Sequence, residues 1–184
     1  MSITTKTGDN GTTGFIGKSR LSKNSARTEV LGTLDELSSQ LGVVYAQMGV
    51  VDEDRQLVLE IQKNLPRISA EIASDNLEAL DIMLIGPGDA AKVERLSHKL
   101  ENSIEPLEGL VIVGGGNNVS AAFDLARAVC RRTERRLVNY FEIEQSLDQE
   151  GTKSIMKYIN RLSDLLFLLA RKKETRRIYF NNKQ

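Results

Sequence analysis

Five arginines stand within the ten residues 127–136 of this sequence. They are Arg127, Arg131, Arg132, Arg135 and Arg136. Three of them are spaced by four residues, so on a helix they lie along one face and repel each other. A guanidinium keeps its proton and offers a rigid fork of donors that matches phosphate oxygens. The row therefore predicts a phosphate-binding surface, and the alternative is a solvated helix face whose arginines pair with Glu134.

A second candidate site is the polar segment 4–14, which has no apolar period. Its glycines at 8, 11 and 14 stand among hydroxyl side chains and Lys6, and glycines let backbone N–H groups approach an anion closely. The segment predicts a phosphate cradle or, alternatively, a disordered tail. The nearby Gly17-Lys18-Ser19 resembles the end of a P-loop, but Thr12 stands where that motif needs its first glycine, so we reject that interpretation.

The third cluster lies near the C-terminus, where Asn160 and Asp164 are four residues apart among strongly apolar neighbours. A carboxamide and a carboxylate beside a core must be satisfied by a partner. That partner is a metal ion or ligand, or an arginine on the facing helix; a purely structural Asn–Arg–Asp network is an equal alternative. Asp35, between Leu34 and Leu37, could likewise answer an arginine across an interface.

Apolar residues at helical spacing predict the elements that position these groups. Five main helices are expected, over about 26–48, 52–80, 87–104, 118–141 and 152–177. Pro66 should kink or split the second helix, and Asn117 or Asn118 should cap the fourth. Ala128, Val129 and Cys130 should face the core. Short connections make the fold class all-α, a five-helix antiparallel bundle of the ferritin-like, up-down kind.

Length and composition limit the protein class. The 184 residues suit one domain, and net charge is zero. The single cysteine excludes an internal disulfide and fits a reducing compartment. No signal-peptide pattern and no apolar run of membrane-spanning length occur, which predicts a cytoplasmic protein with no membrane partner. Zero net charge and the lack of stacking aromatics near Arg131 count against an RNA- or polyanion-binding module.

Four motifs in order resemble one known family. They are Lys6-Thr7-Gly8-Asp9-x-Gly11, Gly32-Thr33-Leu34-Asp35-Glu36-Leu37-Ser38-Ser39, the arginine segment 127–136, and Asn160-Arg161-Leu162-Ser163-Asp164. The chain resembles the PduO-type ATP:cob(I)alamin adenosyltransferases. The resemblance implies a homotrimer of five-helix bundles with active sites between subunits. It also implies transfer of the 5′-deoxyadenosyl group of ATP to the cobalt of cob(I)alamin, with release of triphosphate and with Mg²⁺ on the nucleotide.

The resemblance also implies roles for individual residues. Residues 1–25 match a mobile N-terminal ATP-binding segment, in which the matching residues are Thr5, Lys6, Thr7, Gly8, Thr13, Gly14 and Lys23. The residues that match the grip on phosphates and nucleoside are Arg131, Arg132, Glu134 and Arg135. Arg131, Arg135 and Asn160 are the catalytic candidates, with Asn160 near the magnesium. Asp35 and Arg127 match an ion pair across the subunit interface on the cobalamin side, where Asp164 is also expected.

Two positions depart from the family pattern. The family often has Phe-Ile-Leu-Pro-Gly-Gly where this chain has Val111-Ile112-Val113-Gly114-Gly115-Gly116, and Val111 replaces the aromatic linked to displacing the lower axial base of cobalamin. A common Leu-His pair is Phe123-Asp124 here. A related corrinoid substrate, or an ATP-binding sensor of the same fold without turnover, is therefore an alternative to a cobalamin-specific enzyme. A reductase or acceptor enzyme as partner cannot be named from the residues.

Overall fold

In a computed structural model, which describes residues 6–16, 20–114 and 116–180, five α-helices dominate the protein. The helices are α1 Ala26–Gln47, α2 Arg55–Ala73, α3 Pro87–Glu101, α4 Asn118–Ile143 and α5 Glu150–Lys173. A two-stranded antiparallel sheet, β1 Thr12–Gly14 with β2 Arg20–Ser22, precedes them, and Thr13 is paired with Leu21. The predicted all-α, five-helix antiparallel bundle is confirmed.

Helices α1 and α4 begin where the sequence provides a capping side chain. The Ser25 side chain accepts a hydrogen bond from the Thr28 amide, and α1 starts at the next residue. For α4 the cap is Asn117: its side chain accepts from the Ser120 amide, and its own amide donates to the Ser120 hydroxyl. Asn117 also donates to the Lys173 carbonyl at 2.5 Å, so the start of α4 is tied to the end of α5.

A continuous apolar core joins the helices. The strongest helix contacts are α4 with α5 and α1 with α4, followed by α3 with α5 and α1 with α2. Fully buried side chains from four helices meet inside, among them Leu34, Leu65, Phe123 and Leu165. Burying each contributes roughly 1.5–3 kcal/mol, so the face of α4 opposite this core is held firmly in place.

Pro66 does not split the second helix. Helix α2 runs through it without a break, because Leu65 and Ile68 on either side are buried and their packing outweighs the missing proline N–H. The helix ends at Ala73, earlier than predicted, and a short 3-10 turn follows at Leu77–Ala79.

None of the helices in the described part of the chain is long and apolar enough to cross a lipid bilayer.

Candidate active site

Two of the arginines of α4 pair with helix α1. Arg132 contacts Glu36, and the Nε of Arg136 lies 3.1 Å from the Oε1 of Glu29. All four side chains are roughly 40–50% exposed, so each pair contributes little to stability. These pairs explain part of the arginine row as ordinary surface electrostatics between neighbouring helices.

The opposite side of α4 is anchored in the core. Val129, Cys130 and Leu137 are buried there. The buried Thr133 hydroxyl lies 3.1 Å from the Val129 carbonyl and 3.3 Å from the Thr33 carbonyl on α1. Ala128 is exposed, so the prediction that it faces the core was wrong; one residue before Val129, it is turned toward solvent.

Arg131 and Arg135 differ from their neighbours. Both are exposed, and within residues 6–16, 20–114 and 116–180 neither makes a hydrogen bond or ion pair. They are one helical turn apart on a rigid element, so two positive charges face the same side. The alternative interpretation, in which the arginines of the row pair with Glu134 along the helix, is not what the structure shows.

Glu134 instead contacts α5. The Nδ2 of Asn160 donates to the Oε1 of Glu134 at 2.8 Å, and Arg161 donates to the Oδ1 of Asn160 at 2.9 Å. Both ends of the Asn160 carboxamide are therefore fixed beside the arginine row. The contacts of this chain match the alternative in which Asn160 belongs to a structural network. The arginine of that network, Arg161, lies on α5 itself, and the facing helix α4 provides the carboxylate of Glu134.

The same network borders a cleft of about 910 Å³ between α3, α4 and α5. The Nε of Arg161 lies 3.5 Å from Glu94, and its Nη1 lies 4.0 Å from the exposed Asp164. The predicted residues Arg127, Arg131 and Asp164 all line this cleft. Its apolar wall consists of Ile104, Pro106, Leu107, Phe167 and Leu168.

Asp35 and Arg127 are not paired within one chain. Asp35 is exposed on α1 and lines a separate, smaller cleft together with Ile16. Arg127 is half-buried, with its Nε 4.0 Å from the Oδ1 of Asp124 and its Cζ 5.7 Å from the centre of the Phe167 ring. Their predicted ion pair spans two subunits, so it stays a prediction.

Residues 6–11 of the polar N-terminal segment form a turn that leads into β1. Arg20 donates to the Thr7 carbonyl at 2.6 Å and to the Thr12 hydroxyl at 3.0 Å. A Cβ on Gly8 would lie 3.1 Å from the Lys23 Nζ, so glycine there allows the lysine to approach. The hairpin region contains Lys6, Thr7, Gly8, Thr13, Gly14 and Lys23, whereas Thr5 lies outside the described residues.

This hairpin is attached to the end of α2. The Ile16 amide donates to the Ala73 carbonyl at 3.2 Å, and the Arg27 guanidinium lies 5.0 Å from the centre of the Phe15 ring. Among the described residues, no hydrogen bond or ion pair joins the hairpin to Arg131 or Arg135. Within one chain, therefore, no described polar contact connects the two predicted phosphate-binding regions.

Val111 lies in the extended segment that precedes α4. It is half-buried and forms an antiparallel bridge with Tyr179, while the Ile112 amide donates to the Ile178 carbonyl at 2.7 Å. The Phe180 amide donates to the Leu110 carbonyl at 2.8 Å. The partner of this extended segment, the chain that follows α5, was not predicted from the sequence.

Sequence reasoning missed a buried ion pair beside this segment. The Oδ2 of Asp124 accepts from the Nη2 of Arg171 at 2.6 Å and from the Gly114 amide at 3.0 Å. Both side chains are almost fully buried. A signal was present, because Asp124 falls between the core residues Phe123 and Ala126 at a position where a carboxylate needs a partner.

The candidate site provides positive charge, and the one cysteine of the sequence is not available as a nucleophile. Burial, together with the nearby charge of Glu134, raises the pKa of the Cys130 thiol far above its ordinary value, and Cys130 is completely buried. His98 is exposed on α3, 3.9 Å from Glu101. Such an arrangement suits stabilisation of a leaving anion more than attack by a side chain.

A magnesium ion would depend on the nucleotide for most of its ligands. Across the described residues, no group of three His, Cys, Asp or Glu side chains lies close enough together to hold a metal. Mg²⁺ commonly binds one or two protein oxygens together with substrate phosphates and water. Glu134 and Asn160 are oxygen-bearing side chains beside the arginine row, so the donor set fits a nucleotide-borne ion.

Known proteins are similar to this chain in sequence and in fold. Residues 3–173 match the family described as cobalamin adenosyltransferase. A corrinoid adenosyltransferase of Citrobacter freundii is 41% identical over 94% of this chain and 95% of its own length. One from Bacillus subtilis is 34% identical over 93% and 86%. A variant PduO-type ATP:corrinoid adenosyltransferase from Lactobacillus reuteri, complexed with cobalamin and ATP, superposes with a TM-score of 0.84, at 25% identity, covering 98% of this chain and 100% of that one.

The family match covers all five helices, the hairpin and every predicted site residue from Thr5 to Asp164. The structural likeness extends over nearly the whole chain. On these grounds the chain belongs to the cobalamin adenosyltransferase family, of the PduO type.

Proposed function

We propose that this protein is an ATP:corrinoid adenosyltransferase, which moves the 5′-deoxyadenosyl group of ATP onto the cobalt of cob(I)alamin and releases triphosphate. The observation that carries the proposal is the pair Arg131 and Arg135, which lie unpaired on one rigid helix face beside the fixed carboxamide of Asn160. Relatives of this chain named corrinoid adenosyltransferase support it.

In the proposed reaction, no protein side chain needs to form a bond to the substrate. The cobalt(I) of the substrate donates its electron pair to the 5′ carbon of ATP, the C5′–O bond breaks, and the bonding pair leaves with triphosphate. No general base or protein nucleophile is needed. What remains is stabilisation of the negative charge on the leaving group, for which fixed guanidinium groups such as Arg131 and Arg135 are suited.

Alignment of the reacting atoms is the second requirement. Holding two reactants in line can contribute roughly 7–11 kcal/mol of rate acceleration in favourable cases. Asn160 suits this task because Glu134 and Arg161 hold its carboxamide in one orientation. A bound Mg²⁺ would supply further neutralisation of the phosphates, with Asn160 and Glu134 nearest to it.

The cleft beside the arginine row suits the corrinoid. Its volume of about 910 Å³ and its apolar wall can receive a large, flat ring, and Arg127 and Asp164 lie on its border. Val111 lies in the segment that continues from this wall. With Val in place of an aromatic residue, a related corrinoid is the natural second substrate to test.

The complete site is proposed to form between subunits of a homotrimer. The hairpin region that contains Lys6 and Lys23 is joined to the end of α2 through Ile16, and no described hydrogen bond or ion pair joins Lys6 or Lys23 to Arg131. A neighbouring copy would provide the missing half, with Asp35 of one subunit facing Arg127 of the next. The N-terminal segment, including Thr5, Thr7, Gly8, Thr13 and Gly14, would close over ATP, which also fits a mobile segment ordered by nucleotide.

The cytoplasm is the proposed compartment, which the free, buried thiol of Cys130 supports.

Incubation of the protein with ATP, Mg²⁺ and chemically reduced cobalamin tests the function directly, with the corrinoid absorption spectrum as the readout. We expect conversion to the adenosylated spectrum and stoichiometric triphosphate. Binding of ATP without spectral change would establish the sensor alternative instead. Steeply salt-dependent binding of RNA, without ATP binding, would establish the polyanion alternative.

The subunit arrangement is tested separately by sedimentation and by mixing inactive variants. A trimer is expected. Activity restored by mixing Lys6→Ala with Arg131→Ala protein would support a shared site, because a mixed trimer contains some sites with both residues intact. Failure of every mixture to recover activity would contradict it.

A further inference from the structure

The segment 105–117 is attached along its length to the end of α5 and the chain after it. Arg177 donates to the Glu105 carbonyl at 2.8 Å, and the Thr175 hydroxyl donates to the Gly116 carbonyl at 3.0 Å. A Cβ on Gly116 would come within 2.5 Å of the Glu174 Cβ, so the two backbones are in close contact. With the strand pairing at Val111, these contacts form a strap that holds the segment from both ends.

Asp124 lies at the buried centre of this strap. One of its oxygens accepts both from Arg171 on α5 and from the Gly114 amide of the segment. Gly114 has φ of +81°, a left-handed conformation that favours glycine, so the amide direction there depends on a fixed partner. Arg171 in turn lies 2.9 Å from Glu174, and Glu174 contacts Arg177 at 2.6 Å.

The strap borders the large cleft. Residues 104–107, at the start of the strapped segment, form one wall of it. The Phe167 ring lines the same cleft and packs under the Arg171 guanidinium at 5.0 Å. Arg127, also in the cleft, lies 4.0 Å from the second oxygen of Asp124. One carboxylate therefore connects the segment, the end of α5 and a cleft arginine.

Stability alone does not account for this arrangement. Replacing a buried ion pair with apolar residues is often neutral or stabilising, and leaving a buried charge half-satisfied is costly. Here the Oδ1 of Asp124 and the Nη1 of Arg171 are buried without hydrogen-bond partners among the described residues. The carboxylate is better explained by the position that it imposes on the segment.

We infer that Asp124 is a positioning residue for the corrinoid half of the reaction, acting through Gly114 and Arg171 to set the wall of the cleft and the segment around Val111. The inference rests on the proposed function and deepens it. Asp124 does not touch the phosphate-binding arginines Arg131 and Arg135, so its effect is confined to the corrinoid.

The test compares Asp124→Asn with Asp54→Asn in the full-length protein. Asp54 is a matched control: it is 8% exposed against 5% for Asp124, and it also pairs with the end of α5, at 2.8 Å from Lys172 and 2.7 Å from Lys173. Its side chain makes no hydrogen bond or ion pair with the described segment 105–114. The readouts are KM for ATP, KM for reduced cobalamin, the cobalamin dissociation constant, and amide hydrogen exchange of residues 108–114.

For Asp124→Asn we expect the cobalamin KM and dissociation constant to rise roughly ten- to hundredfold, with KM for ATP unchanged, because small misplacements of a binding wall are costly. Exchange in residues 108–114 should accelerate. Asp54→Asn should lower the thermal midpoint and leave both KM values as in the wild type. Arg171→Lys, which keeps the charge but loses the fork, should shift cobalamin binding in the same direction and serves if Asp124→Asn fails to fold.

Unchanged cobalamin binding in Asp124→Asn, a parallel rise in KM for ATP, or the same split in Asp54→Asn would each overturn the inference. Failure of the proposed function gives a different result, since the wild type itself would then show no turnover. In that case the cobalamin dissociation constants of wild type and variant still decide whether Asp124 positions a corrinoid site.

Discussion

Arg67 on α2 and Arg131 on α4 are arginines of the same bundle, but their guanidinium groups differ in how many partners they have. Arg67 donates to the carbonyls of Met83 and Leu84, each at 2.7 Å, and lies in a two-pronged pair with Asp89 at 3.0 and 3.1 Å. Arg131 is exposed and has no such partner among the described residues. One arginine is fully used by the fold, and the other is available to a ligand.

The difference is the basis for assigning a structural role to Arg67 and proposing a ligand-binding role for Arg131. Lack of a partner is not enough by itself, because Arg95 on α3 is also exposed without one among the residues described. Arg131 differs from Arg95 in having a second free arginine one turn away and the fixed Asn160 carboxamide beside it. The proposed site rests on this combination rather than on exposure alone.

The largest effect is expected for Arg131→Ala. Losing one donor to the leaving phosphates should lower kcat roughly 10²–10³-fold, while the fold and oligomer persist, since the side chain is exposed. Steady-state kinetics measures kcat, and circular dichroism checks that the fold is retained. Arg95→Ala is the matched control and should retain full activity; near-normal turnover of Arg131→Ala would refute the assigned role.

Arg67→Ala should have the reverse profile. Its removal leaves the Asp89 carboxylate and two carbonyls without their donor, at a cost of roughly 2–3 kcal/mol in the free energy of unfolding. The kcat of the folded fraction should match the wild type. Urea denaturation provides the measurement, and a large loss of kcat with unchanged stability would reverse the comparison.

The pH dependence of that stability loss follows from Asp89. Burial alone would raise the pKa of Asp89, but hydrogen bonds from Arg67 and the Gly86 amide outweigh it and hold the pKa below its ordinary 3.8. Stability from a lowered pKa is present above the unfolded value and lost as pH falls through the folded one. The gap between wild type and Arg67→Ala should therefore shrink below pH 3.8, and a gap that stays constant in acid denaturation would contradict the pairing.

Arg136→Ala should have the smallest effect. Its pair with Glu29 is about half exposed, so its loss should change the free energy of unfolding by less than about 0.5 kcal/mol, and less still in high salt. Activity should fall far less than in Arg131→Ala. A drop in kcat comparable to that of Arg131→Ala would place Arg136 in the phosphate-binding group as well.

Local pattern was enough for much of the fold. The apolar spacing predicts all five helices, with α1 bounded within a residue, and the capping preference of asparagine predicts the start of α4. The errors arise where packing competes with local preference. Pro66 does not split α2, because buried Leu65 and Ile68 hold both sides. Ala128 is exposed although Val129 and Cys130, which follow it, are in the core.

The candidate site was predictable in its residue types but less so in its connections. Arg131, Glu134 and Asn160 were predicted from the arginine row and from the motifs that resemble those of the family. That Glu134 bonds Asn160 rather than an arginine depends on how α4 lies against α5. No local rule in the sequence sets that relation.

The sequence by itself determined that this is a helical bundle with an arginine row, a glycine-bearing N-terminal segment and the motifs of its family, since propensity, capping and charge act over a few residues. Only the tertiary structure decided which arginines stay unpaired. It also brings Asp124 into contact with Arg171, 47 residues away along the chain, and with Gly114, 10 residues away. Those outcomes depend on burial and on distances between helices, which the packing of the whole core sets.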